Sequence, residues 1–171
     1  VRDGSIKHNY SALLQFSSVE RTNRLIRPLC AIDKIFFKAH EMSVLSVGPR
    51  TEMELLSLVA QGFDPDKIRG LDLISYSPWI DLGNMHYMPY KDNTFDVVIS
   101  GWVLGYSDNP ERACQEMLRV SKDDCVIAIS NSGETSELNN IIQFIKRFNI
   151  KLISITSNSK SKLHKNASVC I

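Results

Sequence analysis

The chain has 171 residues, 43% of them hydrophobic and 23% charged, a composition that points to one domain with one core and argues against a two-domain enzyme. Twenty Lys and Arg against 19 Asp and Glu leave a net charge of +1, without the basic excess of a protein held to nucleic-acid phosphates. No apolar run approaches the roughly 18 residues of a membrane span and no signal-type start is seen, so the expectation is a cytoplasmic protein with neither a nucleic-acid nor a membrane partner.

Cys30, Cys114, Cys125 and Cys170 are scattered, with no pair at the spacing of a zinc knuckle or redox motif. His8, His40, His86 and His164 are equally dispersed, so no metal is expected.

From Leu13 to Phe37 apolar residues recur at helical intervals, interrupted by Pro28, which predicts a broken helical segment over residues 1–40. An α/β domain is expected over 41–171. MSVLSVG reads as a β-rich run ending at Gly48, and a helix follows through Met53, Leu55, Leu56, Leu58 and Val59. Thr51 and Glu54 stand at capping-box spacing, and Gly62 ends the pattern. IRGLDL and TFDVVIS read as buried strands. Only residues 74–94, broken by Pro78, Gly83 and Pro89, lie between them, so this second crossover is expected to be shortened. A helix is predicted over Pro110–Val120, a strand at CVIAIS and a helix over Glu137–Phe148. IKLISI and NASVCI then form a terminal strand pair across a Ser/Lys/Asn-rich turn.

Repeated strand-helix alternation predicts a mostly parallel sheet with its loops gathered at one edge. Gly48 lies in the first such loop, where free backbone amides can meet a polar ligand, although the loop is neither a P-loop nor a GxGxxG turn. Asp72 follows Gly48 by 24 residues at the end of the next strand, where a carboxylate can accept from two ribose hydroxyls. In DLGNMHYMPY, Met85 or His86 can lie against a flat base and His86 can move a proton. Ser100, Trp102 and Tyr106 follow the strand TFDVVIS at the ligand edge.

The stretch MSVLSVG, then GLDL, then GNMHYMPYKDNTFDVVISGWVLGYSDNPERACQEMLRVSKDD, resembles a class I S-adenosylmethionine-dependent methyltransferase of the small-molecule type over residues 42–130. The resemblance implies a single-domain Rossmann-like class I methyltransferase sheet. It would be mostly parallel with a terminal antiparallel strand, a shortened second crossover and an N-terminal helical cap. It implies S-adenosyl-L-methionine as cofactor, with Gly48 at its methionine part, Asp72 at its ribose and Met85 and His86 flanking adenine. Ser100 and Trp102 complete the expected cofactor site. Three positions depart from the family. Ser46 stands where an acid is usual, Arg50 and Glu52 replace flexible glycines, and Asn84 replaces an Asp. Glu52 is expected to pair with Arg50 or to meet the cofactor amine. The implied activity is methyl transfer to an oxygen or nitrogen of a small polar acceptor, a sugar-related one among the candidates, with His86 and Tyr106 as candidate bases. The alternative is an inactive or cofactor-binding scaffold or interaction protein, and a homodimer is left open.

Overall fold

A computed structural model describes residues 20–49, 51–122 and 125–171. Helices α1 (Glu20–Cys30) and α2 (Asp33–Lys38) lead into the first sheet. Pro28 lies inside the last turn of α1 and does not end it. The break falls one turn later, where the amides of Ala31 and Ile32 bond back to Arg27 and Leu29 at 3.1 and 3.2 Å. A proline that near a helix end forfeits little, because few amides beyond it remain to be paired. Leu13, Leu14 and Phe16 lie outside the described residues.

The first sheet is wholly parallel, with β1 (Val44–Val47) between β2 (Ile68–Asp72) and β4 (Val97–Ser100), and β3 (Ile80–Leu82) outside β2. Its strands are apolar because both faces are covered. Val44, Ile68 and Ile99 face a core shared with Ile26, Leu55 and Leu58. Leu45, Val47 and Leu71 face the opposite core, with Met88, Phe95 and Val120. Residues 73–79 carry the chain from β2 to β3 without a helix.

Helix α3 (Glu52–Ala60) follows β1, but the expected capping box does not form. Thr51 makes no side-chain cap bond, and the Glu54 carboxylate instead accepts from the buried Ser46 hydroxyl. Helix α4 (Pro110–Val120) begins as its sequence predicts, with Pro110 in its first turn and Asn109 Oδ1 accepting from the Arg112 amide at 3.0 Å.

A second, separate sheet holds β5 (Cys125–Ile129), β6 (Lys151–Ile155) and β7 (Val169–Cys170), all parallel, in that order. Helix α5 (Ser136–Arg147) and the short α6 (Lys162–Asn166) make the crossovers. Ile142, Ile145, Leu152 and Leu163 form its own core.

Two features overturn the expected single methyltransferase sheet with its antiparallel last strand. Ser121 starts a parallel bridge to Phe95, and the Lys122 amide bonds to the Phe95 carbonyl at 2.9 Å, but β5 then pairs with β6 and not with β4. The final strand is parallel because α6 occupies what reads in sequence as a plain turn. A connection that crosses over delivers the chain back in the same direction, whereas a hairpin would reverse it.

Candidate functional site

The carboxyl edge of the first sheet gathers several of the predicted residues. Gly48 has φ +69° and its amide bonds to the Leu71 carbonyl at 2.8 Å. A side chain there would meet Val103 Cγ2 at 2.6 Å, so the surface that glycine leaves open is already covered by Val103. Asp72 is buried at the end of β2, its Oδ1 accepting from the Leu73 amide at 2.7 Å. The Glu52 amide donates to the Tyr76 hydroxyl at 3.2 Å. Arg50 lies outside the described residues. Ser100 ends β4 with a buried hydroxyl that has no hydrogen-bond partner among the described residues, and Trp102 follows in a left-handed conformation, φ +60°. Tyr106 is well exposed in the next turn.

Met85 packs against Leu45, Val47 and Leu71 in the core, and His86 is buried and fully engaged. The His86 ring sits between Asn84 Oδ1 and Ser107 Oγ, 2.7 Å from each. Asn84 Oδ1 also accepts the His86 amide, so this imidazole closes a corner of the fold. Below it, the buried Glu116 carboxylate accepts from the Met88 amide at 2.8 Å and from both Arg119 and Arg112. The Arg119 guanidinium beside it holds Glu116 below the usual carboxylate range. This network is structural, because it ties the 85–92 connection to α4.

The more exposed polar site lies in the second sheet, at the carboxyl ends of β5 and β6. Loop 130–135, Ser-Asn-Ser-Gly-Glu-Thr, leaves β5 and opens α5. Gly133 has φ +65° and its amide donates to Ser130 Oγ at 3.1 Å. Ser132, Thr135 and Ser136 are exposed, and Thr135 stands at the N-terminal boundary of α5 without a side-chain cap bond. Hydroxyls, a left-handed glycine and the amides of a helix start in one turn are the ingredients of an anion cradle. Loop 156–161 leaves β6 beside it, and both border a cleft between the two sheets whose walls include Val97, Ile99, Val126 and Ile127. The sequence reading passed over this loop. Its signal is present nonetheless, as three hydroxyl residues and a glycine between a β-rich run and a helix. Among the described residues no group of three or more His, Cys, Asp or Glu is placed to hold a metal, and no helix is long and apolar enough to cross a membrane.

Two family models match the chain, and they overlap over residues 99–129. A family model described as SIS domain matches residues 99–171, and one described as methyltransferase domain matches residues 58–129. The chain is similar to arabinose 5-phosphate isomerase KdsD of Pseudomonas aeruginosa, at 48% identity over 54 residues, 32% of this chain and 17% of that protein. It is also similar to KdsD of Francisella tularensis, at 46% over 52 residues, 30% of this chain and 16% of the relative. Escherichia coli K12 KdsD gives 42% over 59 residues, 34% of this chain and 18% of the relative. The chain thus spans less than a fifth of the length of these curated relatives. A putative phosphosugar isomerase of Bacteroides fragilis, described as involved in capsule formation, aligns over 98% of this chain and 69% of its own, at 17% identity and a TM-score of 0.38.

These findings correct the methyltransferase expectation. Residues 99–171, which include part of the stretch that resembles a methyltransferase, match SIS domains, and the relatives are arabinose 5-phosphate isomerases. Methyl transfer and S-adenosyl-L-methionine as cofactor are overturned with that expectation. The chain thus carries a stretch similar to methyltransferase domains and an overlapping, later one similar to SIS domains, and about a third of it is similar to arabinose 5-phosphate isomerases.

Proposed function

We propose that the chain binds the phosphate of a phosphosugar in loop 130–135 and serves the isomerisation of a five-carbon phosphosugar such as arabinose 5-phosphate. The observation that carries this reading is the loop itself: Ser130, Ser132, Gly133 and Thr135 at the end of β5 and the start of α5, within a segment similar to SIS domains. A phosphate is recognised by several short donors around one anion, and backbone amides at a helix start add favourable charge. The sugar would extend from there into the cleft that the same loop borders.

Isothermal titration calorimetry with arabinose 5-phosphate tests the reading. Saturable binding is expected, competed by inorganic phosphate and weakened about tenfold by Thr135→Ala, the worth of one good hydrogen bond to a charged group. No saturation at millimolar ligand overturns it. Isomerisation is then read directly, as ketose phosphate formed from the aldose phosphate, and a chain that binds without turnover has a binding function alone. Sedimentation of the same samples reads whether two copies associate.

A further inference from the structure

Loop 130–135 is shaped from behind. Four consecutive carbonyls are engaged by donors outside the loop. Asn131 O accepts from Thr156 Oγ1 at 3.1 Å and from Ser157 Oγ at 2.8 Å, and Ser132 O accepts from Asn158 Nδ2 at 3.2 Å. Gly133 O accepts from the Leu163 amide at 3.2 Å and Glu134 O from Asn139 Nδ2 at 3.4 Å. The peptide bonds are trans, so each amide points opposite to the carbonyl of the residue before it. Holding carbonyls 131–134 turns the amides of residues 132–135 to the other side. The amides of Gly133 and Glu134 meet Ser130 Oγ and Ser132 Oγ there.

We infer that Ser157 and Asn158 are positioning residues for the phosphate site, holding the loop carbonyls away so that the Ser130 and Ser132 hydroxyls, which the Gly133 and Glu134 amides already meet, and not the carbonyl oxygens, face the anion. This rests on the phosphate reading above. Asn158 is itself oriented: its Oδ1 accepts from the Lys160 amide at 3.1 Å, which leaves Nδ2 directed at Ser132. The two loops meet because their strands are adjacent, with Ile129 opposite Ile155 and the Ser130 amide bonded to the Ile155 carbonyl at 3.1 Å. A preorganised cradle does not have to reorient its dipoles when the anion arrives, and losing its supports costs affinity without removing any direct contact.

The test titrates inorganic phosphate and arabinose 5-phosphate into the chain, following the Ser132 and Thr135 amide resonances, with melting curves for each variant. Ser157→Ala combined with Asn158→Ala is expected to weaken binding about tenfold and to abolish the phosphate-induced shifts of those amides. Ser157→Thr, which keeps the hydroxyl, is expected to bind like the parent. Asn158→Asp, which keeps the shape but sets an oxygen against the Ser132 carbonyl, is expected to weaken binding at least as much as Asn158→Ala. Should the double variant fail to fold, Ser157→Thr and Asn158→Asp decide by themselves. A parent chain that binds no phosphate overturns the phosphate reading and this inference together. A parent that binds, with variants of unchanged affinity, overturns the inference alone.

Discussion

The Asp96 carboxylate lies 2.6 Å from Ser43 Oγ and 3.0 Å from Lys122 Nζ, and it also accepts the Ser43 amide at 2.8 Å. One side chain therefore joins the residues before β1, β4 and β5. Burial by itself would raise its pKa, but the bonds from Ser43 and the Lys122 ammonium outweigh that and hold it at about 2. With the folded value below the unfolded one, its stabilisation is fully present above about pH 4 and is lost as pH falls through about 2. Asp96→Asn should lower stability by about 1–3 kcal/mol at neutral pH. Urea midpoints of parent and variant should converge between pH 4 and pH 2, and a constant gap across that window would refute the assignment.

Arg119 reaches Tyr90 O at 2.8 Å, Met88 O at 3.1 Å, Asp92 at 2.7 Å and both oxygens of Glu116. An ammonium has neither the fork nor the number of donors to do this. Arg119→Lys is expected to cost about 2–4 kcal/mol, since the Glu116 carboxylate would be left buried and underpaired. Chemical denaturation measures it.

His86→Ala should remove the ring's contacts to Asn84, Ser107 and Asp108 and leave a cavity at a buried corner. The expected loss is about 2–4 kcal/mol of stability, with phosphate affinity at loop 130–135 unchanged in the folded fraction. Calorimetric melting and phosphate titration on the same sample separate the two effects.

Gly133→Ala should damage fold and site together. Its φ of +65° is a left-handed conformation that alanine adopts at a cost, and the added carbon would lie 2.6 Å from Ser161 Cβ. A melting temperature lower by several degrees, with loss of phosphate binding, is the expected outcome. Unchanged melting would show that the two loops do not meet as described.

The buried Cys114 thiol should behave differently from the two exposed ones. Burial, with Glu111 nearby, pushes the Cys114 thiol up to about 11, whereas Cys125 and Cys170 are exposed. A disulfide reagent at neutral pH should modify Cys125 and Cys170 quickly and reach Cys114 only on unfolding, because the thiolate is the reactive species and the buried one is scarce. Peptide mapping after a short pulse reads the order.

The local elements were legible because local rules govern them. Pro110 and Asn109 supply a local helix start, and the apolar run VLSV marks a strand covered on both faces, whereas CVIAI forms its strand only half-buried. The methyltransferase resemblance rests on residues 42–130, so the Ser-Asn-Ser-Gly-Glu-Thr turn lies at and beyond its end. The site residues divide in the same way. Asp72 does end β2, as the strand reading requires, but sequence cannot show that Val103 covers Gly48 or that His86 is spent on Asn84 and Ser107.

Near-neutral charge over 171 residues and the alternation of strands with helices mark an α/β chain without a broad basic excess. Composition and periodicity determined that much, since both are properties of residues near one another in the chain. Only the tertiary structure decided that β5 leaves β4 to start a second parallel sheet, and that loop 156–161 stands behind loop 130–135. Strand partnership is a choice among free edges of similar chemistry, and the orientation of a carbonyl depends on a donor some 26 residues away. Neither is written in the local pattern that makes the strand.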